Sequence, residues 1–185
     1  MTRTMRAAAL RSTALATCLA LVFAPAAWHK LRERDLFAAQ IQAYAILPRH
    51  LLVLGRALGP LEAAAAIALV GGAPVAGAGL AAVLLLMYAF AMALNLLRGR
   101  VLDCGCGGAP QPLSWGLVVR NLTMVLMALA AALPREAREL TLDDAWLLGL
   151  AVTAWLVLLA ALNQMLRQGH SLRGPAHGSP GRARL

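Results

Sequence analysis

Five apolar segments, each close to the length that crosses a lipid bilayer, constrain the fold of this chain more than any other feature. Short polar connections separate them, and they comprise residues 12–28, 51–70, 75–97, 115–133 and 145–166. A helix needs about 20 mainly apolar residues to cross the hydrocarbon core, where it satisfies its own backbone hydrogen bonds. We therefore predict an all-α integral membrane bundle of about five transmembrane helices, or four if the second segment does not cross.

The composition agrees with a membrane protein and argues against a nucleic-acid-binding domain. The chain is 61% hydrophobic and only 14% charged, whereas soluble domains are about half apolar and a quarter charged. Its formal net charge is +9. Because the arginines lie at the ends of apolar segments, they are typical of topology signals and lipid-headgroup contacts. We expect no nucleic-acid partner.

The domain organisation follows from the same pattern. A basic segment, residues 1–11, precedes one transmembrane domain, residues 12–166. Residues 167–185 are rich in Gly, Pro, Ser and Arg, so we expect a disordered basic tail. Residues 29–48 have apolar side chains on one helical face, and we predict one amphipathic interfacial helix that ends at Pro48.

Glu62 is an acidic residue inside the second apolar segment. An ionised carboxylate facing hydrocarbon is costly, so we expect Glu62 to face the bundle interior and to pair with a cation. Arg56 is one candidate, but it lies six positions upstream, off the same helical face unless the helix kinks at Pro60. The alternatives are another cation, or a role in proton transfer or at a quinone site.

The polar connection between the third and fourth segments contains Cys104-Gly105-Cys106. Two cysteines one residue apart can close a very small disulfide ring, which is strained and therefore passes its oxidising equivalents on readily. Gly105 permits the sharp backbone bend that this ring needs. The pattern predicts a redox pair, and thiol:disulfide oxidoreductase activity through Cys104 and Cys106 is one interpretation of it.

The charges around this pair determine how readily its thiols ionise. The thiolate is the nucleophile in disulfide exchange, and positive potential favours it. We expect that potential from the start of the fourth helix and from three arginines, Arg98, Arg100 and Arg120. Asp103 opposes it, accepts a proton, or bonds to the backbone of the turn.

The same cysteines have two other interpretations, a metal site and inert residues. A zinc site needs four ligands, and the histidines show no ligand spacing with the two cysteines, so we expect no metal. Incidental, inert cysteines are the second alternative. Cys18 lies in the middle of the first apolar segment, where a free thiol acts as a small apolar residue, with a third redox partner as the other interpretation.

Several short motifs resemble the signature of the MauE family of methylamine utilization proteins, which is grouped with DoxX-like membrane proteins. The specific part is central, and it comprises residues 95–100 (Asn-Leu-Leu-Arg-Gly-Arg), 103–108 (Asp-Cys-Gly-Cys-Gly-Gly), 111–115 (Gln-Pro-Leu-Ser-Trp) and 120–121 (Arg-Asn). Weaker matches lie at residues 28–31, 44–48 and 60–62. The resemblance covers roughly residues 12–165.

The resemblance implies a multi-pass protein of the bacterial inner membrane that works with a thioredoxin-like partner, MauD. In that family the role is processing, transport or maturation of the methylamine dehydrogenase small (beta) subunit, a periplasmic protein with many disulfides. Cys104 and Cys106 match the family's cysteine pair. MauE-like proteins also occur outside methylamine operons, so another disulfide-containing periplasmic client stays open.

Three functions remain open on these grounds: a thiol-disulfide relay, a non-catalytic membrane scaffold or export factor, and a quinone-linked disulfide oxidase of general specificity. The membrane side is also contested. Three spans after an arginine-bearing start place the cysteines in the periplasm, where disulfides form. The number of basic residues on the cysteine side favours the cytoplasm. The chemistry and the resemblance favour the periplasm.

Overall fold

The computed structural model describes residues 3–46, 55–100, 102–104, 111–133 and 141–171. Within these ranges the chain forms six α-helices: α1 Arg3–Arg32, α2 Arg34–Tyr44, α3 Leu58–Val70, α4 Pro74–Leu97, α5 Trp115–Ala131 and α6 Leu142–Ser171. The described residues contain no strand beyond one isolated antiparallel bridge. The predicted all-α class is confirmed.

Three of these helices contain stretches long and apolar enough to cross a membrane, at Ala9–Arg32, Pro74–Leu97 and Leu142–Gln168. The apolar helices α3 and α5 are shorter. The 13 residues of α3 span only about 20 Å at 1.5 Å per residue. The chain is therefore a helical membrane bundle with three long and two short apolar helices in its described part.

The predicted amphipathic helix differs from the observed one at its start. Residues 29–32 continue α1, and the separate helix α2 begins at Arg34. Glu33 interrupts the helical path with φ −109° and ψ 56°. At the other end Ala45 takes the left-handed conformation, φ 47°, and closes α2 before Pro48, which lies outside the described residues. The first three residues of α2 are exposed, and half-buried and exposed side chains are mixed along the rest of the helix.

The core of the bundle is built from small residues that let α1, α3, α4 and α5 approach closely. Its most buried members include four alanines, with at most 1% of their surface exposed: Ala65, Ala78, Ala81 and Ala128. Close contacts through small residues are the usual way for membrane helices to associate, because lipid supplies no hydrophobic driving force between them. Larger apolar side chains, among them Leu19 and Phe23, complete this core, while others such as Ile67 and Phe90 face outward.

The backbones of α3 and α4 approach closely at Gly77. A Cβ atom there would lie 2.6 Å from the Leu69 backbone nitrogen, whereas a Cβ atom at Gly79 would meet nothing within 4 Å. We expect Gly77→Ala to destabilise the bundle by about 1–3 kcal/mol, since backbone must move to admit the methyl group. Gly79→Ala, the matched control, should leave stability unchanged or raise it through helix propensity. Thermal unfolding in detergent measures both, and equal midpoints would contradict this packing.

The helix α6 is the most exposed long helix in the described residues. Residues 145–166 were predicted for this span, and the helix extends beyond both limits, from Leu142 to Ser171. At its start the Thr141 backbone nitrogen donates to Asp144 Oδ2 at 3.1 Å. This side-chain cap explains the earlier start, because it satisfies a backbone donor at the helix N-terminus. The predicted disordered tail begins inside α6, and residues 172–185 lie outside the described residues.

Candidate functional site

The connection between α4 and α5, residues 98–114, is here called the cysteine segment. Its two described arms pair through their backbones: the Cys104 nitrogen donates to the Gln111 oxygen at 2.7 Å, and the Leu113 nitrogen donates to the Leu102 oxygen at 2.8 Å. Asp103 and Pro112 form an antiparallel bridge between these two bonds. The arms of the segment are therefore joined to each other independently of any side chain.

The Cys104 sulfur is disulfide-bonded, while Cys18 in α1 is a buried free thiol. Only 8% of Cys104 is exposed, and its sulfur lies 3.9 Å from the Met92 sulfur of α4. A disulfide sulfur carries no proton, so this is a packing contact. Gly105 and Cys106 lie outside the described residues, and the roles of both stay predictions.

Tyr44 and Arg100 hold the cysteine segment against the end of α2. The Tyr44 hydroxyl donates to the Cys104 carbonyl oxygen at 3.0 Å. Arg100 Nη1 donates to the Tyr44 carbonyl oxygen at 3.1 Å and to Asn95 Oδ1 at 3.3 Å. Burial, and then the Asp103 carboxylate, raise the pKa of Tyr44 to about 12. Tyr44 therefore remains a protonated donor at neutral pH.

The other charged residues predicted near the pair occupy different places. Arg98 caps the C-terminal end of α4 with its side chain exposed, and Asp103 is also exposed. Arg120 Nη1 donates to Asn163 Oδ1 of α6 at 2.6 Å. The guanidinium of Arg120 thus links α5 to α6. The expected effect of these residues on thiol ionisation stays a prediction.

A buried ion pair lies between α1 and α3. Lys30 Nζ is 2.7 Å from Glu62 Oε1 and 2.8 Å from Oε2, and Glu62 is only 1% exposed. The Tyr88 hydroxyl of α4 donates to Glu62 Oε1 at 2.6 Å. Lys30 Nζ also lies 5.3 Å from the ring centres of Phe37 and Tyr88. Two donors, the Lys30 ammonium and the Tyr88 hydroxyl, therefore compensate the carboxylate inside the bundle through three hydrogen bonds.

Glu62 faces the bundle interior, as predicted. The candidate partner Arg56 is wrong, because the cation paired with Glu62 is Lys30. Arg56 is exposed in the turn before α3, whereas Lys30 approaches from 32 residues earlier in the chain. The antiparallel packing of α1 and α3 brings the end of the first helix beside the start of the other. A cation at the end of an apolar helix was the sequence signal for this partner.

The ion pair and the disulfide line one cavity of about 430 Å³, here called the central cavity. Glu62 and Tyr88 line it together with Cys104 and Gln111. Its volume lies within the roughly 300–1,000 Å³ that ligand pockets usually have. Within the described residues, no group of three or more His, Cys, Asp or Glu residues could hold a metal ion.

Fold and site together define a multi-pass helical membrane protein with a disulfide-bonded cysteine at one end of the bundle, above an interior cavity. Comparison with known proteins narrows this class. Residues 8–134 match the sequence model of the family described as Methylamine utilisation protein MauE. The chain belongs to the MauE family.

The individual relatives agree with this assignment. The chain is 41% identical over 155 residues to the methylamine utilization protein MauE of Paracoccus denitrificans, covering 80% of this chain and 83% of that protein. It is 39% identical over 151 residues to the protein of the same name from Methylophilus methylotrophus, covering 77% and 80%. No solved structure matches the chain.

Proposed function

We propose that this chain is the membrane component of a thiol-disulfide relay that serves methylamine utilisation. Its client is the small subunit of methylamine dehydrogenase or another disulfide-containing periplasmic protein, and its partner is a thioredoxin-like protein of the MauD kind. The names of the relatives support the pathway. The disulfide at Cys104 is the observation that carries the relay.

The proposal assigns Cys106 as the partner of Cys104. The chain has three cysteines, and Cys18 is free. In the relay step, a thiolate of the thioredoxin-like partner attacks one sulfur of the pair and breaks the S–S bond. The second partner thiol then attacks the mixed disulfide, leaving the partner oxidised and the chain with two thiols. Two electrons and two protons pass from the partner to the chain.

The arrangement of Cys104 suits such an exchange. Its carbonyl oxygen is bonded to Tyr44 and its nitrogen to Gln111, so the main chain stays in place while the sulfur changes partners. Arg100 Nη1 reaches the carbonyl of Tyr44, which brings positive charge to this end of the bundle. Positive potential lowers the free energy of the departing thiolate.

The proposal places the cysteine segment on the periplasmic side of the inner membrane. Helices α1, α3 and α4 precede it, and α1 and α3 pack antiparallel through the Lys30–Glu62 pair, which supports three crossings. The basic residues Arg32, Arg34, Arg98 and Arg100 lie near the cysteine end and favour the opposite side. Because these two arguments conflict, the orientation needs a direct test.

A membrane-impermeant maleimide tests the redox state and the side together. In intact cells carrying the Cys18→Ser variant, we expect no labelling before reduction and labelling of two thiols after dithiothreitol, because the pair is oxidised and periplasmic. The labelled cysteines are located by mass spectrometry. Labelling that needs permeabilised cells would overturn the orientation. Labelling without reductant would overturn the oxidised pair.

A further inference from the structure

One buried polar group in the central cavity has no partner among the described residues. Gln111 is 8% exposed, and its side-chain nitrogen Nε2 makes no hydrogen bond to any residue that the structure describes. A buried donor without an acceptor costs about 1–3 kcal/mol, so each such atom calls for a specific explanation. The Gln111 side chain lines the cavity, which points to an acceptor atom of a ligand there.

Three other donors that line the cavity are already occupied. Lys30 and Tyr88 donate to Glu62, and Asn121 Nδ2 donates to the Leu117 carbonyl oxygen at 2.9 Å. Gln111 lies next to the disulfide, because its carbonyl oxygen accepts the Cys104 backbone nitrogen. A ligand atom bonded to Gln111 Nε2 would therefore lie close to the sulfur.

The cavity also reaches the lipid-facing surface. Three residues that line it are exposed apolar side chains: Leu21 of α1, Phe90 of α4 and Leu156 of α6. Leu21 and Leu156 lie within apolar stretches long enough to cross the membrane. An apolar molecule dissolved in the bilayer could enter between these helices without passing through water. The site suits a lipid-soluble ligand with a hydrogen-bond acceptor.

We propose that the central cavity binds a quinone and that this quinone reoxidises the Cys104–Cys106 pair. The inference rests on the proposed relay, since a pair that oxidises its partner must give up the electrons it receives. A quinone is apolar, accepts two electrons, and presents carbonyl oxygens to an amide donor. One carbonyl accepts a hydrogen bond from Gln111 Nε2, which places the ring beside the sulfur.

The step is balanced in atoms and electrons. The two thiols of Cys104 and Cys106 lose two protons and two electrons, and one S–S bond forms. The quinone gains the two electrons and two protons, and its two carbonyl oxygens become the hydroxyls of a quinol. The quinol then leaves into the bilayer. No other co-reactant is needed.

The test uses the full chain in lipid nanodiscs, reduced and freed of reductant under anaerobic conditions, with decylubiquinone as the probe. We expect wild type to convert one equivalent of quinone to quinol and to lose two thiols, followed by quinone absorbance and thiol titration. Gln111→Leu should slow this reaction about tenfold, the effect of losing one buried hydrogen bond. Gln42→Leu, a change at an exposed glutamine of α2, should react like wild type.

Oxidation by glutathione disulfide in the same samples separates the two proposals. If the pair forms with glutathione but not with decylubiquinone, the quinone site is overturned and the relay stands. If neither oxidant forms the pair, the relay itself fails. If Gln111→Leu reacts with quinone at the wild-type rate while its glutathione reaction is also unchanged, Gln111 does not hold the quinone and the site as proposed is overturned.

Discussion

Replacing Glu62 by glutamine is expected to destabilise the protein by about 3–5 kcal/mol, because Lys30 is left as a buried charge without its counterion. The lysine has two bonds to that carboxylate, at 2.7 and 2.8 Å, and Glu62 is almost completely buried. At about 2–4 °C per kcal/mol, the apparent melting temperature should fall by on the order of 10 °C. Thermal unfolding of the purified protein in detergent measures the change.

Two further variants make this expectation specific to the pair. Glu33→Gln removes an equivalent carboxylate from an exposed position, where the effect should stay within about 0.5 kcal/mol. Lys30→Met combined with Glu62→Gln should recover most of the lost stability, because no buried charge is left without a counterion. The Tyr88 hydroxyl still has the glutamine oxygen as its acceptor. A Glu62→Gln protein as stable as wild type would show that the pair does not hold α1 and α3 together.

The second large effect is expected in cells whose growth on methylamine depends on this chain. Replacing Cys104 and Cys106 together by serine should reduce that growth to the level of cells lacking the chain, because a serine pair cannot exchange disulfides. Cys18→Ser, at the buried free thiol, should grow like wild type. Growth on a nitrogen source other than methylamine controls for general damage.

The same variant separates a relay from a non-catalytic scaffold or export factor. A scaffold does not need the sulfurs, so normal methylamine growth of the double serine variant, with the protein present in the membrane, would overturn the relay. Single replacement of Cys106 adds a positive readout, because the remaining thiol should hold a mixed disulfide with the thioredoxin-like partner. Non-reducing electrophoresis detects that adduct.

The fold class could be predicted from sequence because it depends on local composition. The limits of α4, Pro74–Leu97, lie close to those of the predicted segment, since Pro74 begins the helix and polar residues follow its end. The break at Glu33 could not be predicted, because residues 29–48 have one continuous amphipathic pattern and the separation depends on how α2 packs. The helix period indicates which residues share a face, but not where a helix bends.

Only part of the site could be predicted from the sequence, for a related reason. Cys104 and its loop stand out as a compact motif, and the burial of Glu62 follows from the cost of an isolated charge in lipid. The bonds of Glu62 to Lys30 and of Tyr44 to Cys104 join residues 32 and 60 positions apart. Such pairings depend on the packing of whole helices, which local sequence patterns do not specify.

The backbone bridge beside Cys104 keeps the cysteine segment closed when its disulfide is reduced. Its hydrogen bonds join main-chain atoms and exist without the sulfur link, so opening the S–S bond leaves the two arms of the cysteine segment joined. The α-carbons of residues 104 and 106 cannot separate by more than about 7 Å. When one of the two sulfurs is held in a mixed disulfide with a partner, the other therefore lies close enough to attack it, which re-forms the ring and releases the partner's thiol.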